Sequence, residues 1–378
     1  MTNQMRVIIF SGFNPRAVIA FIRTLESVGV SYSIIAASSD DFIFQTVYRV
    51  KVDVIRKNRI LEINDVLDAI RQVSVRHKAD TYLIAPSTEA LNRFLLDNRK
   101  LVEVGNVILP LVEKSLYEKI SDKDSFGKLC RKYNILVPDE SYQIEEMEYP
   151  FVAKPREYFA GSGEIYSPYL IFNESDKIKF LEECPVSDFY YQKFIHGESY
   201  YLLYYFPQKE GRIYKFSQKN LMQQPDGKSI VAAIPARMHE TLQSSLYEHL
   251  FSSVKFRGLV MIEVRKDVGG NFYMIEANPR FWGPSQLFVD AGMNLFEAFL
   301  SDYGFDFGKP DFQHPDYNVK YFWFNGIFAA GDQNKKVVTY GNFSLDSCWK
   351  DWLKEDVYLR EDSLDFFKSQ LNERLWKI

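Results

Sequence analysis

Residues 272–283 read FYMIEANPRFWG. The run opens as an apolar strand, then places Glu276, Asn278 and Arg280 at two-residue intervals, with Pro279 breaking the pattern. Side chains alternate along a strand, so Glu276 and Asn278 share a face. A core strand has no use for an acid, an amide and a guanidinium together. Upstream lies GLVMIEVR (258–265), joined through DVGG, and a Gly-Gly pair is a strong hairpin signal. A hairpin folded about residues 269–270 sets Glu263 opposite Glu276, with Cβ atoms about 5 Å apart. Ile262, Val264, Ile275 and Ala277 then face the core.

Two facing carboxylates at ~4 Å repel by about 1 kcal/mol in water and about 4 kcal/mol at an effective dielectric of 20. A cation must stand between them. Either Arg265, Lys266 or Arg280 supplies it on an exposed face, or a metal does. Two acids and an amide offer only oxygen, which suits a hard ion such as Mg2+, with Mn2+ the alternative. Mg2+ keeps waters and completes its shell with substrate phosphates.

The rest of the chain frames this hairpin. A length of 378 residues allows two or three domains. A net charge of −4, without a basic tail or block, gives no footprint for nucleic acid. No apolar run approaches the ~18–20 residues of a membrane span. Cys130, Cys184 and Cys348 lack metal-ligand spacing and read as thiols in a reducing compartment. The N-terminus passes from MTNQMR into a strand without a signal-peptide layout, so a cytoplasmic protein is expected.

RVIIF (6–10), SGFNPR and a helix ending at Gly29 lead into VSYSIIAAS (30–38). This βαβ opening predicts a parallel sheet with helices on both faces. A helix over 62–77, a strand at 81–87 and a last strand at VILPLV (107–112) continue it. SGFNPR lacks the G-x-G-x-x-G fingerprint, and leaves Asn14 or Arg16 as contacts for a small substrate. Two helices are expected in 113–140, the second capped by Ser121 or Asp122. YPFVAKP (149–155) is a strand carrying Lys154, and a glycine-containing loop follows. Aromatic strand material fills 189–207, a helix is expected at about 239–255, and an amphipathic helix near 362–376.

A strand ending Glu-x-Asn-Pro-Arg, with an acid on the preceding strand, resembles the metal hairpin of the ATP-grasp superfamily. It is most similar to the carboxylate–amine ligase branch that includes the carbamoyl phosphate synthase large subunit. The resemblance spans about residues 1–300. It implies an α/β chain in which an N-terminal parallel-sheet unit (1–112) precedes a two-part α+β grasp. The lid part is 113–189, and the large part is 190–378, including an extension at 301–378 that lies outside the resemblance.

The resemblance also assigns roles. Lys123 and Lys154 match phosphate-binding lysines, and Gly161, Ser162 and Gly163 match the loop that closes over the phosphates. Gln192, Lys193, Phe194 and Ile195 match the adenine-binding hinge. Glu198 matches the ribose-binding acid, with Ser199 the alternative. Glu263, Glu276 and Asn278 match the metal ligands. Arg280, with Lys154, is the candidate catalytic residue, directed at the transferred phosphate. Gln192 departs from the acid that many relatives carry, and Arg156 is an addition beside Lys154.

The implied reaction is ATP-dependent. A substrate carboxylate becomes an acylphosphate, an amine attacks it, and an amide or peptide-like bond forms with release of ADP and phosphate. The alternatives are carbamoyl-phosphate-synthase-like activation of bicarbonate and a nucleotide-binding regulator without catalysis. The partners implied are small-molecule carboxylates and amines, with a homodimer common in the family. Lys215, Lys219 and the PDGKS turn (225–229) either face substrate or form a solvated hairpin tip. Trp282 either packs the loop after the strand or stacks on substrate.

Overall fold

Short β-branched runs separated by amphipathic helices build the first 108 residues. The computed structural model describes residues 4–159, 163–308, 315–328, 337–345 and 348–375. β1 (Met5–Phe10), β2 (Tyr32–Ala36), β3 (Val52–Ile55), β4 (Thr81–Ile84) and β5 (Val107–Ile108) form a parallel sheet in the order β3-β2-β1-β4-β5. β5 is shorter than 107–112 because Pro110 has no N–H to give to a ladder. Helices α1 (Pro15–Ser27), α2 (Ile63–Arg76), α3 (Glu89–Asp97) and the short α4 (Arg99–Val102) accompany the strands. The chain leaves β1 towards β2 and β3, then returns to β4 on the other side. That reversal makes a crevice at the carboxyl ends of β1 and β4, where open α/β sheets take ligands.

α5 (Lys114–Ser121) and α6 (Lys123–Lys132) follow. Asp122 is the N-cap of α6 by position, but its side chain makes no cap bond, because Arg93 takes its carboxylate at 2.5 Å. A small antiparallel sheet comes next, in the order β6-β9-β7-β8, from β6 (Glu140–Ser141), β7 (Phe151–Pro155), β8 (Tyr169–Ile171) and β9 (Phe189–Lys193). α7 (Glu174–Glu183), capped by Asn173, covers it through Phe180, which packs on Phe151, Ile171 and Phe189.

The largest sheet runs β14-β13-β10-β11-β12-β15, with β16 paired to β11. Its strands are β10 (Glu198–Phe206), β11 (Tyr214–Gln223), β12 (Ile230–Ala236), β13 (Gly258–Lys266), β14 (Phe272–Asn278), β15 (Tyr321–Phe322) and β16 (Val338–Thr339). Alternation divides its faces. Leu202, Tyr204, Val260, Ile262 and Val264 pack with α6 and with α8 (Leu242–Ser253). Tyr201, Leu203, Tyr205 and Met261 join a second core with α1, α9 (Gln286–Asp290) and α10 (Leu295–Asp302). The C-terminal segment adds β15 and β16 to the sheet, then α11 (Trp349–Leu353), and ends in α12 (Leu364–Leu375) against the N-terminal unit. Among the described residues no helix is long and apolar enough to cross a membrane.

Candidate functional site

β13 and β14 pair with Glu263 opposite Glu276, as the hairpin reading requires. The route to that register differs from a simple fold about 269–270. Beside the turn the pairs are Lys266 with Phe272 and Val264 with Met274, and a bulge at Ile275 restores the register at Glu276. The bulge corrects one expectation. Ile275 is half-exposed and lines a cavity, while Met274 and Ala277 take the core positions. The freed Ile275 carbonyl accepts a hydrogen bond from Lys154 Nζ at 3.0 Å.

Charge gathers around these strands. Glu263 is buried and pairs with Arg265 at 3.1 Å. Burial raises its pKa, Arg265 opposes the rise and Glu276 adds to it. Burial also opposes ionisation of Glu276. Lys123 at 3.2 Å, the Asn278 amide at 2.8 Å, Lys154 and Arg280 outweigh that and hold the carboxyl well below the usual range. Lys154 is 4 % exposed, and its Nζ donates to Gln192 Oε1 at 2.7 Å. Burial, then Lys123, pushes it down to about 8.

Lys123, Lys154, Gln192, Lys193, Phe194, Ile195, Glu263 and Glu276 line one cavity of about 400 Å3. The strands β7, β9, β13 and β14 and the first residue of α6 bring them together from across the sequence. Arg265, weighed from the sequence as a counter-charge for the acids, also lines it, as do Gln223 and Tyr340, which sequence reasoning missed. Tyr340 follows the two-residue β16, hydrogen-bonds Gln223 and carries the Arg265 guanidinium 4.7 Å from its ring centre. No periodicity marks so short a strand.

A second cavity, about 730 Å3, opens at the crevice of the parallel sheet. Asn14 and Arg16 at the start of α1, Ser87 and Glu89 after β4, Asn278 at the end of β14, and Arg280 and Trp282 after it line this cavity. Arg280 donates to Asn278 Oδ1 at 3.1 Å and lies 3.8 Å from Glu89. Trp282 is 1 % exposed and packs on Phe288, so it serves both the core and the cavity wall. Glu276 and Gly227 line both cavities, so the two meet there.

Several expected residues fall elsewhere. Glu198 stands outside the lining of both cavities. Lys219, the Tyr200 hydroxyl at 2.9 Å and Lys266 at 3.8 Å take its carboxylate. Strand parity explains this: Ser199 and Tyr201 lie opposite Arg265 and Glu263, on the site's face, and Glu198 lies on the other. Lys215 pairs with Glu248 at 2.8 Å on α8, away from both cavities, while Asp226, Gly227, Lys228 and Ser229 of the neighbouring turn line them. Gly161 and Ser162 lie outside the described residues. Gly163 is described, with φ of 84° and open space around it.

The donors at the hairpin fit a hard divalent cation. Glu263, Glu276 and Asn278 offer oxygen donors of the kind such an ion takes, and in this structure Arg265, Lys123 and Arg280 occupy those oxygens.

No model of a known protein family matches the sequence, and no curated protein matches it. Solved structures do match in fold. Pyruvate carboxylase of Rhizobium etli aligns at TM-score 0.60 and 16% identity, over 84% of this chain and 30% of its own, so this chain spans less than a third of that enzyme. The biotin carboxylase domain dimer of Hydrogenobacter thermophilus 2-oxoglutarate carboxylase, solved with MgADP, ADP and bicarbonate, aligns at 0.60 and 14% identity over 85% of this chain and 74% of its own. L-amino acid ligase from Bacillus licheniformis aligns at 0.53 and 14% identity over 79% and 70%. The parallel sheet, the small antiparallel sheet and the large sheet ending in the Glu-x-Asn-Pro-Arg strand thus make up the ATP-grasp fold, and this chain has that fold.

Proposed function

We propose that the protein is an ATP-dependent carboxylate–amine ligase. The observation that carries this reading is the meeting of the two cavities at Glu276 and Gly227. A nucleotide in the smaller cavity and a carboxylate in the larger one would bring the terminal phosphate and its acceptor to the same place. Such placement supplies much of the rate in phosphoryl transfer, where the protein's work is positioning and charge stabilisation.

In this reading Phe194 and Ile195 form the adenine wall, with backbone groups of Gln192 and Lys193 reading its edge. Lys123 and Lys154 offset phosphate charge. Glu263, Glu276 and Asn278 would hold Mg2+ or Mn2+, which supplies Lewis-acid stabilisation of phosphate oxygens. Arg280 presents a planar fork to the transferred group, a geometry a lysine lacks. A substrate carboxylate oxygen attacks the γ-phosphorus and ADP leaves. The amine then attacks the acyl carbon, phosphate leaves, and the amine gives up a proton as the C–N bond forms. Gly161, Ser162 and Gly163 would close over the phosphates and exclude water from the acylphosphate.

The size of the larger cavity favours an organic acid over bicarbonate alone. The division into units 1–112, 113–189 and 190–378 goes with this reading, with the second boundary moved past Lys193 because β9 completes the small sheet. The cytoplasm, where ATP is plentiful, is the compartment it implies.

A matrix of carboxylic acids and amines, screened for phosphate and ADP release, tests the proposal. A stimulating pair should yield stoichiometric amide, and Glu276→Gln should lower its turnover at least ~1,000-fold without altering the far-UV circular dichroism. Stimulation by bicarbonate and ammonia alone would move the protein to the carbamoyl phosphate reading. Nucleotide binding with no turnover for any pair would make it a regulator.

A further inference from the structure

The buried arginines of this molecule are of two kinds, paired and unpaired, and the unpaired ones line one cavity. Among the described residues Arg16, Arg56, Arg93 and Arg265 are each more than nine-tenths buried. Arg93 pairs with Glu89 and Asp122, and Arg265 pairs with Glu263. Arg16 and Arg56 have no carboxylate within ion-pair distance among the described residues, and both line the 730 Å3 cavity.

Their partners are all neutral. Arg16 donates to the Ile230 carbonyl at 3.0 Å, to the Tyr321 hydroxyl at 3.1 Å and to Ser229 Oγ at 2.8 Å. Its guanidinium lies 3.9 Å from the Trp323 ring centre. On its other side is Gly283, where a Cβ would fall 2.7 Å from Arg16 Cζ, so the glycine leaves room for the charge. Among the described residues the Arg56 guanidinium donates only to the Arg59 and Ile60 carbonyls, at 3.1 and 3.3 Å. Asp41 and Asp65, the acids nearest in effect, are spent on Ser11 and on backbone N–H groups.

A buried cation without a counter-ion is costly, and a fold keeps it where a ligand supplies the missing charge. Lys154 is the internal parallel: buried, held by neutral acceptors, and facing the cavity assigned to phosphates. Arg56 follows β3, and Arg16 opens α1 after β1, both at the carboxyl end of the parallel sheet. Glu276 and Arg280, which come from the hairpin, line the same cavity.

We infer that one organic substrate carries a second anionic group, a carboxylate or phosphate that does not react, and that Arg16 and Arg56 hold it. The inference rests on the ligase reading for the word substrate, and the anion site itself stands apart from turnover. Arg56 is the better probe, because Arg16 also ties α1 to β12 and β15.

The full chain, with ADP and Mg2+ present, is titrated with glutarate in one arm and inorganic phosphate in another. Tryptophan fluorescence is the readout, since Trp282 and Trp323 line the cavity. At least one anion should saturate, and neutral glutaramide should not. Arg56→Gln should weaken that anion by about 10- to 100-fold, the usual worth of hydrogen bonds to charged groups, and leave ADP affinity unchanged. Failure of both anions to saturate on the unmodified chain, or equal binding by Arg56→Gln, would overturn the inference. If Arg56→Gln loses ADP binding as well, Arg56→Lys decides: it keeps the charge without the fork, so with ADP binding intact it should still saturate with the anion at an affinity lowered no more than about tenfold, and loss of saturation would overturn the inference. The two arms separate carboxylate from phosphate. Anion binding without any productive acid–amine pair would sink the ligase reading alone.

Discussion

Lys154 carries the clearest residue-scale consequence. It is a lysine surrounded by neutral acceptors, with Lys123 nearby and a pKa pushed down to about 8. Phosphates placed against it would raise that value. Nucleotide binding at pH 8 should therefore take up part of a proton, and affinity should fall as pH rises from 8 towards 10. Calorimetry in two buffers of different ionisation enthalpy measures the uptake directly; zero uptake would remove Lys154 from the phosphate site. The sign for stability is separate. The folded value lies below the ordinary 10.5, so the charged lysine costs stability below pH 8, and the cost fades as pH rises towards 10.5. At this scale the sequence was readable where a residue's chemistry contradicted its setting. A lysine within FVAKP and an acid-amide-arginine series on an apolar strand are such contradictions. Arg56 and Tyr340 gave no such signal, since an arginine in a loop and a tyrosine after two strand residues are ordinary.

At the scale of elements, strand parity and one bulge decide which side chains meet. Parity moved the site's face from Glu198 to Ser199, one residue along. The bulge at Ile275 kept Glu276 opposite Glu263 and turned a carbonyl towards Lys154. Gly197 joins the hinge to β10 at φ of 144°, and a Cβ there would fall 1.9 Å from the Lys266 carbonyl oxygen. That oxygen is backbone and cannot swing aside. Gly197→Ala should cost about 2 kcal/mol or more in denaturant unfolding, and should weaken ADP binding because Phe194 and Ile195 lie three residues away or fewer. Unchanged stability would mean the hinge is not held by this contact.

At the scale of the whole molecule, the C-terminal segment closes back on the first helix. Arg23 of α1 makes a two-pronged pair with Asp362 at 2.7 Å, and the Tyr48 hydroxyl adds a bond at 2.6 Å. Burial opposes ionisation of Asp362, but Arg23, Tyr48 and Ser363 prevail and hold its pKa at about 2. A depressed carboxylate stabilises above its unfolded value near 3.8 and loses that contribution as pH falls towards 2. Asp362→Asn should cost about 2 kcal/mol at pH 7 and flatten the loss of stability between pH 4 and 2, followed by chemical denaturation. An unchanged acid limb would mean the tie carries no net energy.

Local patterns were enough for the βαβ opening and the Gly-Gly hairpin, which rest on neighbours in sequence or on a period of two, and the resemblance they carry supplied the lysines, the hinge and the roles of the acids. They led to the fold and to most of the smaller cavity's lining. The larger cavity was decided by tertiary structure. It gathers the ends of β1, β3 and β4, the turn after β11 and the residues after β14, which no spacing relates. Charge compensation belongs to the same level, because whether Arg16 or Arg56 has a counter-ion depends on every chain segment that packs around it.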